Sequence, residues 1–386
     1  MTRARLAARG SRTALALCFV LLSACSHGCS LARRFWSPAA LPEKAEHLIA
    51  RTGDGWDLSV IHYKPRDRSP GRRPVLLVHG VVTNERNIDY DEKHSLARSL
   101  AARGLDVWAL SLRGTGESSH ASLVGGDHKY DWDFDTYCEE DIPAAIAFVQ
   151  QRTGAEKIDY VGHSMGGMLY YCVLARGGPA ADAIAVGATV GSPVGFRWGP
   201  RFTEATQVAA LAMSKMPVIK LDGPTLLALP LVSWFPEPMT MLLYNPANID
   251  ADIWNGFLAV GVEDESPRLA AQFYRWIRED KFTSRDGAID YEQRLPATRT
   301  PTLVMAGKAD QLGFPPLVRR GYDALGGEKE WRLVGIENGA RGDYGHMDLL
   351  LGESAERDVF EPISRWLAAP HATAPIQSPA AGAITH

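Results

Sequence analysis

Three side chains, far apart along the 386 residues, have the types and the order that nucleophilic acyl chemistry needs: Ser164, Asp310 and His346. A serine hydroxyl attacks a carbonyl only when a base removes its proton, and the base must itself be oriented by a third group. Ser164 lies in Gly162-His163-Ser164-Met165-Gly166, after the β-rich Lys157–Val161 and before an apolar, helix-like stretch from Met168 to Leu174. Gly-x-Ser-x-Gly between a strand and a helix forces its central residue into a strained turn and lifts the hydroxyl clear of the sheet. The flanking glycines are required because a side chain there would strike the neighbouring strand or helix. The plain alternative is a glycine-rich turn that happens to contain a serine.

In the chain order Ser…Asp/Glu…His, both partners follow the serine on loops after later strands. Of the eleven histidines, His346, His371 and His386 lie beyond the last strand, and the final two fall in the tail, which leaves His346 as the base. The strand Thr302–Gly307 runs straight into Lys308-Ala309-Asp310, so Asp310 sits at a carboxyl end, where parallel α/β sheets bind ligands. Asp348 is the second candidate acid, but two residues past the histidine it is better placed to steady the His346 loop. The oxyanion of a tetrahedral intermediate needs donors. Met165 offers its amide at the helix start, and Val81 offers one in the loop Val78-His79-Gly80-Val81 after the first parallel strand. His79 is expected to anchor that loop. Arg113-Gly114-Thr115-Gly116 lacks the lysine of a phosphate loop and reads as an ordinary turn.

The elements that must position these residues alternate along the chain. Two β stretches, His47–Arg51 and Trp56–Tyr63, meet at the hairpin signal Asp54-Gly55. Strands are expected at Pro74–His79, Asp106–Leu112, Ile158–His163, Ile184–Gly191, Thr302–Gly307 and Glu330–Gly335. Helices are expected at Asp91–Arg103, Ile142–Arg152, after Ser164, at Pro316–Leu325 and at Glu353–Leu367. Apolar strands separated by amphipathic helices mean a mostly parallel sheet covered on both faces. Residues 194–300 break the rhythm and read as a helical cap inserted into a core of 43–193 and 301–368. The apolar run Thr225–Leu243 in that cap either lines an acyl pocket or packs on itself.

Taken in order, His79-Gly80, Arg113-Gly114-x-Gly116, Gly162-His163-Ser164-Met165-Gly166, Gly307-x-x-Asp310 and Gly345-His346-x-Asp348 resemble the α/β-hydrolase superfamily. Val78–Ser118, and the block from Leu243-Tyr244-Asn245-Pro246 through Gln272-Phe273 to Asp310, are similar to its acid-lipase and polyhydroxyalkanoate-synthase branch. The synthases carry cysteine at the elbow, so Ser164 favours hydrolysis. The resemblance implies an α/β-hydrolase fold and a cofactor-independent serine hydrolase of carboxylic esters, lipid or acyl esters among them. An acyltransferase or thioesterase with the same triad is the alternative, and a lipid-binding protein without activity is a third reading.

The first residues carry Arg3, Arg5, Arg9 and Arg12, then an apolar stretch from Thr13 to Leu22 ending in Leu22-Ser23-Ala24-Cys25. This pattern fits a cleaved signal of residues 1–24, and Leu-Ser-Ala-Cys resembles the lipobox of bacterial lipoproteins. That resemblance implies a lipid on Cys25, a tether over 25–42, and a membrane-anchored protein of the cell envelope, at the outer membrane because serine follows the cysteine. Residues 369–386 read as a disordered Ala/Pro-rich tail. The net charge of −4, with no internal basic run, gives no sign of a nucleic-acid partner. No cysteine spacing suits a metal. Cys138 and Cys172 fall on helical positions, where burial as small hydrophobes is commoner, although pairing in an oxidising compartment is open to them.

Overall fold

The computed structural model describes residues 45–65, 67, 71–222 and 240–371. The signal, the tether, Cys25 and most of the apolar run Thr225–Leu243 lie outside the described residues, as does the tail beyond 371. No described helix is long and apolar enough to cross a membrane.

Among the described residues eight strands form one sheet: β1 (Ala45–Arg51), β2 (Asp57–Tyr63), β3 (Pro74–Val78), β4 (Asp106–Leu110), β5 (Ile158–His163), β6 (Ile184–Val190), β7 (Thr302–Gly307) and β8 (Lys329–Val334). Their spatial order is β1-β2-β4-β3-β5-β6-β7-β8. β1 pairs antiparallel with β2, and β2 with β4, while every later pairing is parallel. The five residues of β3 and of β4 are all buried, which is the composition a sheet needs when both faces are covered. One apolar cluster, including Leu76, Val78, Leu169 and Val304, packs on one face. A second, including Val75, Leu77, Val161 and Met305, packs on the other. Side chains alternate across a strand, so neighbours such as Leu76 and Leu77 supply opposite cores.

Helices cover both faces: α1 (Leu96–Ala102), α2 (Ile142–Thr153), α3 (Met165–Arg176), α4 (Pro200–Met213), α5 (Ala251–Val260), α6 (Pro267–Glu279), α7 (Pro315–Ala324) and α8 (Glu361–Ala368). Two helices are shorter than expected, for local reasons. Asp91 Oδ1 accepts from the amides of Lys93 and His94 and closes a turn there, so the helix waits for Ser95, whose hydroxyl accepts from the Arg98 amide at 3.0 Å. Likewise α8 is entered through a single wide π turn, Glu356–Phe360, instead of starting at Glu353. Of the two roles open to the cysteines, the structure has the pairing. Cys138 and Cys172 form a disulfide that ties the π turn Tyr137–Asp141 to α3.

Between β6 and β7 lies a helical insertion carrying α4, α5 and α6. It is not merely laid over the sheet. Trp276 of α6 is fully buried against Phe196, Phe134 and Phe282. Asp135, also fully buried, accepts from Gln272 Nε2 at 3.0 Å and from the Tyr291 hydroxyl at 2.8 Å, so a core carboxylate fastens the far end of the insertion.

Candidate active site

Strand order decides where the site forms. The chain runs β3, β4, β5, yet β5 pairs with β3 and β4 lies outside. Loops leaving β3 and β5 therefore diverge from adjacent strand ends, and a crevice opens at this switch point. Val78 is opposite Gly162, so the His79–Val82 loop and Ser164 emerge side by side. β6, β7 and β8 follow in sequence, which brings the loops after β7 and β8 to the same end of the sheet.

Ser164 has φ 52° and ψ −119°, far from any comfortable region for a residue with a side chain. The flanking glycines explain how the turn can exist. A Cβ on Gly162 would stand 2.3 Å from the Gly166 carbonyl carbon, and one on Gly166 would stand 2.2 Å from the Val78 carbonyl oxygen. Both obstacles are backbone, which cannot rotate aside. The Ser164 amide donates to the Val190 carbonyl at 2.8 Å and holds the turn to β6.

His346 Nε2 lies 2.9 Å from Ser164 Oγ, and its Nδ1 lies 2.8 Å from Asp310 Oδ2. Asp310 is completely buried, and its Oδ1 accepts from the amides of Leu312 at 2.9 Å and Gly313 at 2.7 Å. A carboxylate surrounded by donors acts as acceptor only, so Nδ1 of His346 carries the proton and Nε2 presents a lone pair to the serine hydroxyl. Thus the three residues singled out by chain order stand within hydrogen-bonding reach in the sequence Ser–His–Asp. Such a set can abstract the serine proton, return it to a leaving group and hold the imidazolium formed in between.

The two amides expected to serve an oxyanion lie beside Ser164, on the helix start and on the β3 loop. Met165 is the first residue of α3, where an amide has no partner inside the helix. Gly80 lets the β3 loop press on Ser164, since a Cβ there would sit 3.2 Å from Ser164 Cβ. Val81 follows directly. Val82 is held at φ 53°, a sterically poor state for a β-branched residue, and its carbonyl accepts from the Glu263 amide at 2.9 Å. His79 is buried, which pushes its pKa down to about 4 and keeps it neutral. Its Nε2 accepts from the Leu112 amide at 3.1 Å, leaving Nδ1–H for the Gly80 carbonyl at 2.8 Å. His79 therefore ties the β3 loop to the β4 loop, as its place in the sequence suggested.

Two residues of the site escaped the sequence reading. His163, just before Ser164, lies against His346 with ring centres 4.8 Å apart and the rings tilted by 41°, and its Nε2 lies 3.2 Å from the His346 carbonyl. Complete burial, then the nearby His346, hold its pKa well below the usual imidazole range, so it cannot compete as a base. Asn87 lies 2.9 Å from His163 Nδ1 and also accepts from the Gly80 amide, joining the nucleophile strand to the β3 loop. The available signal was the histidine inside Gly-His-Ser; nothing local marks Asn87. Asp348 does not reach the imidazole: its carboxylate accepts from the Gly345 amide and from Asn248. Arg113 is buried, paired with Asp141 and Asp54, and the Gly116 amide donates to Glu263, so the Arg-Gly-x-Gly turn is structural.

Residues 73–216 match the family described as alpha/beta hydrolase fold. The gastric triacylglycerol lipase of Rattus norvegicus is 40% identical over 122 residues, 30% of this chain and 31% of the relative. The human lysosomal acid lipase/cholesteryl ester hydrolase is 33% identical over 129 residues, 32% of each chain. The chain thus spans about a third of the length of these curated relatives. Among solved structures, a thermophilic esterase from Thermogutta terrifontis superposes with a TM-score of 0.53 at 19% identity, covering 85% of this chain and all of that one, 100%. With the mostly parallel eight-stranded sheet and its helical layers, these matches give the chain an α/β-hydrolase fold.

Proposed function

We propose that the chain hydrolyses carboxylic esters through a Ser164–His346–Asp310 triad. The observation that carries the reading is the position of His346, whose two ring nitrogens face Ser164 Oγ and Asp310 Oδ2 at 2.9 and 2.8 Å. Ser164 Oγ attacks the ester carbonyl as its proton moves to His346 Nε2. The developing oxyanion is held by the amides of Met165 and Val81. Collapse expels the alcohol, which takes the proton from His346 and leaves an acyl-serine. Water then attacks that ester with His346 again as base, and the acid leaves. Similarity to relatives named as triacylglycerol and cholesteryl ester lipases supports a lipid or acyl ester as the substrate class.

We also propose that the protein is lipid-anchored at Cys25 in the cell envelope. The Leu22-Ser23-Ala24-Cys25 motif is one support. The Cys138–Cys172 disulfide is another, because structural disulfides persist in oxidising compartments. The activity is tested with p-nitrophenyl esters of graded chain length, with and without an added alcohol acceptor, on wild type and Ser164→Ala. Hydrolysis that disappears in Ser164→Ala supports the reading. Preferential acyl transfer to the alcohol would replace it with an acyltransferase, and unchanged turnover by Ser164→Ala would reject the triad.

A further inference from the structure

The His346 loop is fixed by the insertion. Residues 343, 347 and 348, on both sides of the base, all bond to the short segment Leu243–Asn248. The Met347 amide donates to the Leu243 carbonyl at 2.8 Å, and Asn245 Nδ2 and Asn248 Nδ2 both donate to the Asp343 carbonyl, at 2.7 and 2.9 Å. Asp348 closes the arrangement. Its Oδ2 accepts from the Gly345 amide at 2.9 Å and from Asn248 Nδ2 at 2.6 Å, and its Oδ1 accepts from the Asn245 amide at 3.2 Å. The Asn248 carbonyl in turn accepts from the Glu353 amide at 2.9 Å, just past the short helix Asp348–Leu351. Beneath these bonds Tyr244, Trp254 and Phe257 of the insertion form a separate apolar cluster with Met347 and Leu351.

The same segment continues through α5 to the other side of the site. At its end, the Val260 and Gly261 carbonyls accept from Asn84, and the Glu263 amide holds the strained Val82. One stretch of chain, 243–263, therefore grips both the loop carrying the base and the loop offering an oxyanion donor.

We propose that Asn248 and Asp348 are positioning residues for His346, their amide–carboxylate bond setting where the imidazole stands between Asp310 and Ser164. The proposal rests on His346 being the general base. Asn248 donates twice from one nitrogen, to the Asp343 carbonyl before the base and to the Asp348 side chain after it. Losing that nitrogen removes one bond on each side of a loop whose tip must hold two contacts near 2.9 Å, and leaves Asn245 as the remaining side-chain donor to Asp343. Displacements of about 1 Å at a reacting group cost on the order of 100-fold in rate. The bonds of Asn248 and Asp348 go to the His346 loop and its neighbours and not to Ser164, so the loss is expected to fall on turnover.

The test measures kcat and KM on a soluble p-nitrophenyl ester for Asn248→Ala, Asn248→Asp and Asp348→Asn, beside wild type and Ser164→Ala. It also follows the downfield proton resonance of His346 Nδ1–H and the melting temperature. The expected result is a fall in kcat of roughly 10- to 100-fold with KM little changed, and a His346 proton shifted or broadened in chains that still melt cooperatively. Asn248→Asp keeps the volume but sets an acceptor against two acceptors, so it should lose at least as much as Asn248→Ala, and the melting temperature separates a positioning loss from unfolding. If Asp348→Asn does not fold, the half-buried Asn248 carries the test alone. Turnover within twofold of wild type in the Asn248 variants, with wild-type activity abolished by Ser164→Ala, overturns the positioning role. Esterase activity indifferent to Ser164→Ala overturns the triad reading on which the proposal rests, and the proposal with it.

Discussion

Asp310→Asn probes the reasoning at its most specific point, because the structure dictates which way the new amide must face. Oδ1 of Asp310 accepts two backbone amides, from Leu312 and Gly313, so the carbonyl oxygen of an asparagine must stay there. Its NH2 group is then forced into the Oδ2 position, 2.8 Å from His346 Nδ1. A donor in that place turns Nδ1 into an acceptor and moves the ring proton to Nε2, where it faces the serine hydroxyl and cannot receive its proton. The imidazolium of the transition state also loses its counter-charge. Unit charges 2.8 Å apart at an effective dielectric constant of about 20 attract by about 6 kcal/mol. At 1.36 kcal/mol per decade this is roughly four powers of ten in kcat. The assay is turnover of a chromogenic ester by wild type and by Asp310→Asn, each checked for an unchanged melting temperature. A fall of less than tenfold in a folded variant would refute the assignment of Asp310 as the group that orients the base.

Three other expectations concern the scaffold. The Cys138–Cys172 bridge spans 34 residues, and the chain-entropy relation assigns such a loop about 4 kcal/mol. Cys138→Ala/Cys172→Ala should therefore lower the urea midpoint by about 1 M for a slope of roughly 3 kcal/mol/M; an unchanged midpoint would deny the bond a structural role. Gly166→Ala puts a Cβ 2.2 Å from the Val78 carbonyl, while Gly199→Ala meets nothing within 4 Å. The first should cost at least the upper part of the roughly 1–3 kcal/mol range for overpacking, or fail to fold, and the second should be near neutral by thermal melting. Glu265 is buried beneath Trp132 and Tyr137, and burial raises its pKa from 4.5 to about 7. The folded chain thus binds that proton more tightly than the unfolded one. The resulting stability is fully present below pH 4.5 and is lost as pH rises through 7. Glu265→Gln, which cannot ionise, should flatten the fall in melting temperature between pH 5 and pH 8; an unaltered fall would show that this carboxyl does not drive it.

Much of this architecture was legible because local rules and the global fold agree. Continuous apolar strands and the turn at Ser164 needed no distant information: Gly162 and Gly166 are demanded by backbone only four residues or one strand away. Chain order then sufficed to pick His346 and Asp310. Where the sequence misled, a side chain had intercepted the backbone, as when Asp91 capped its own turn and delayed α1 to Ser95. Contacts across the fold left no periodic trace. Cys138 and Cys172 looked like two ordinary helical positions, because nothing in 3.6-residue spacing says that a π turn and the nucleophile helix cross at that point. The grip of Leu243–Asn248 on the His346 loop is of the same kind. Asp348 could be suspected from its nearness to the histidine, but its partner lies 100 residues earlier.

The proposed chemistry stands or falls on Ser164 being an activated nucleophile. A fluorophosphonate reacts with a serine only when a base withdraws its proton and donors receive the phosphoryl oxygen, so it reports the assembled site and does not depend on knowing the ester. Treating the folded chain with such a probe and locating the adduct by peptide mass analysis is the most direct measurement. One adduct is expected, on Ser164, absent from His346→Ala and from urea-unfolded chain. An unlabelled Ser164 in folded wild type, or labelling that persists without His346, would contradict it.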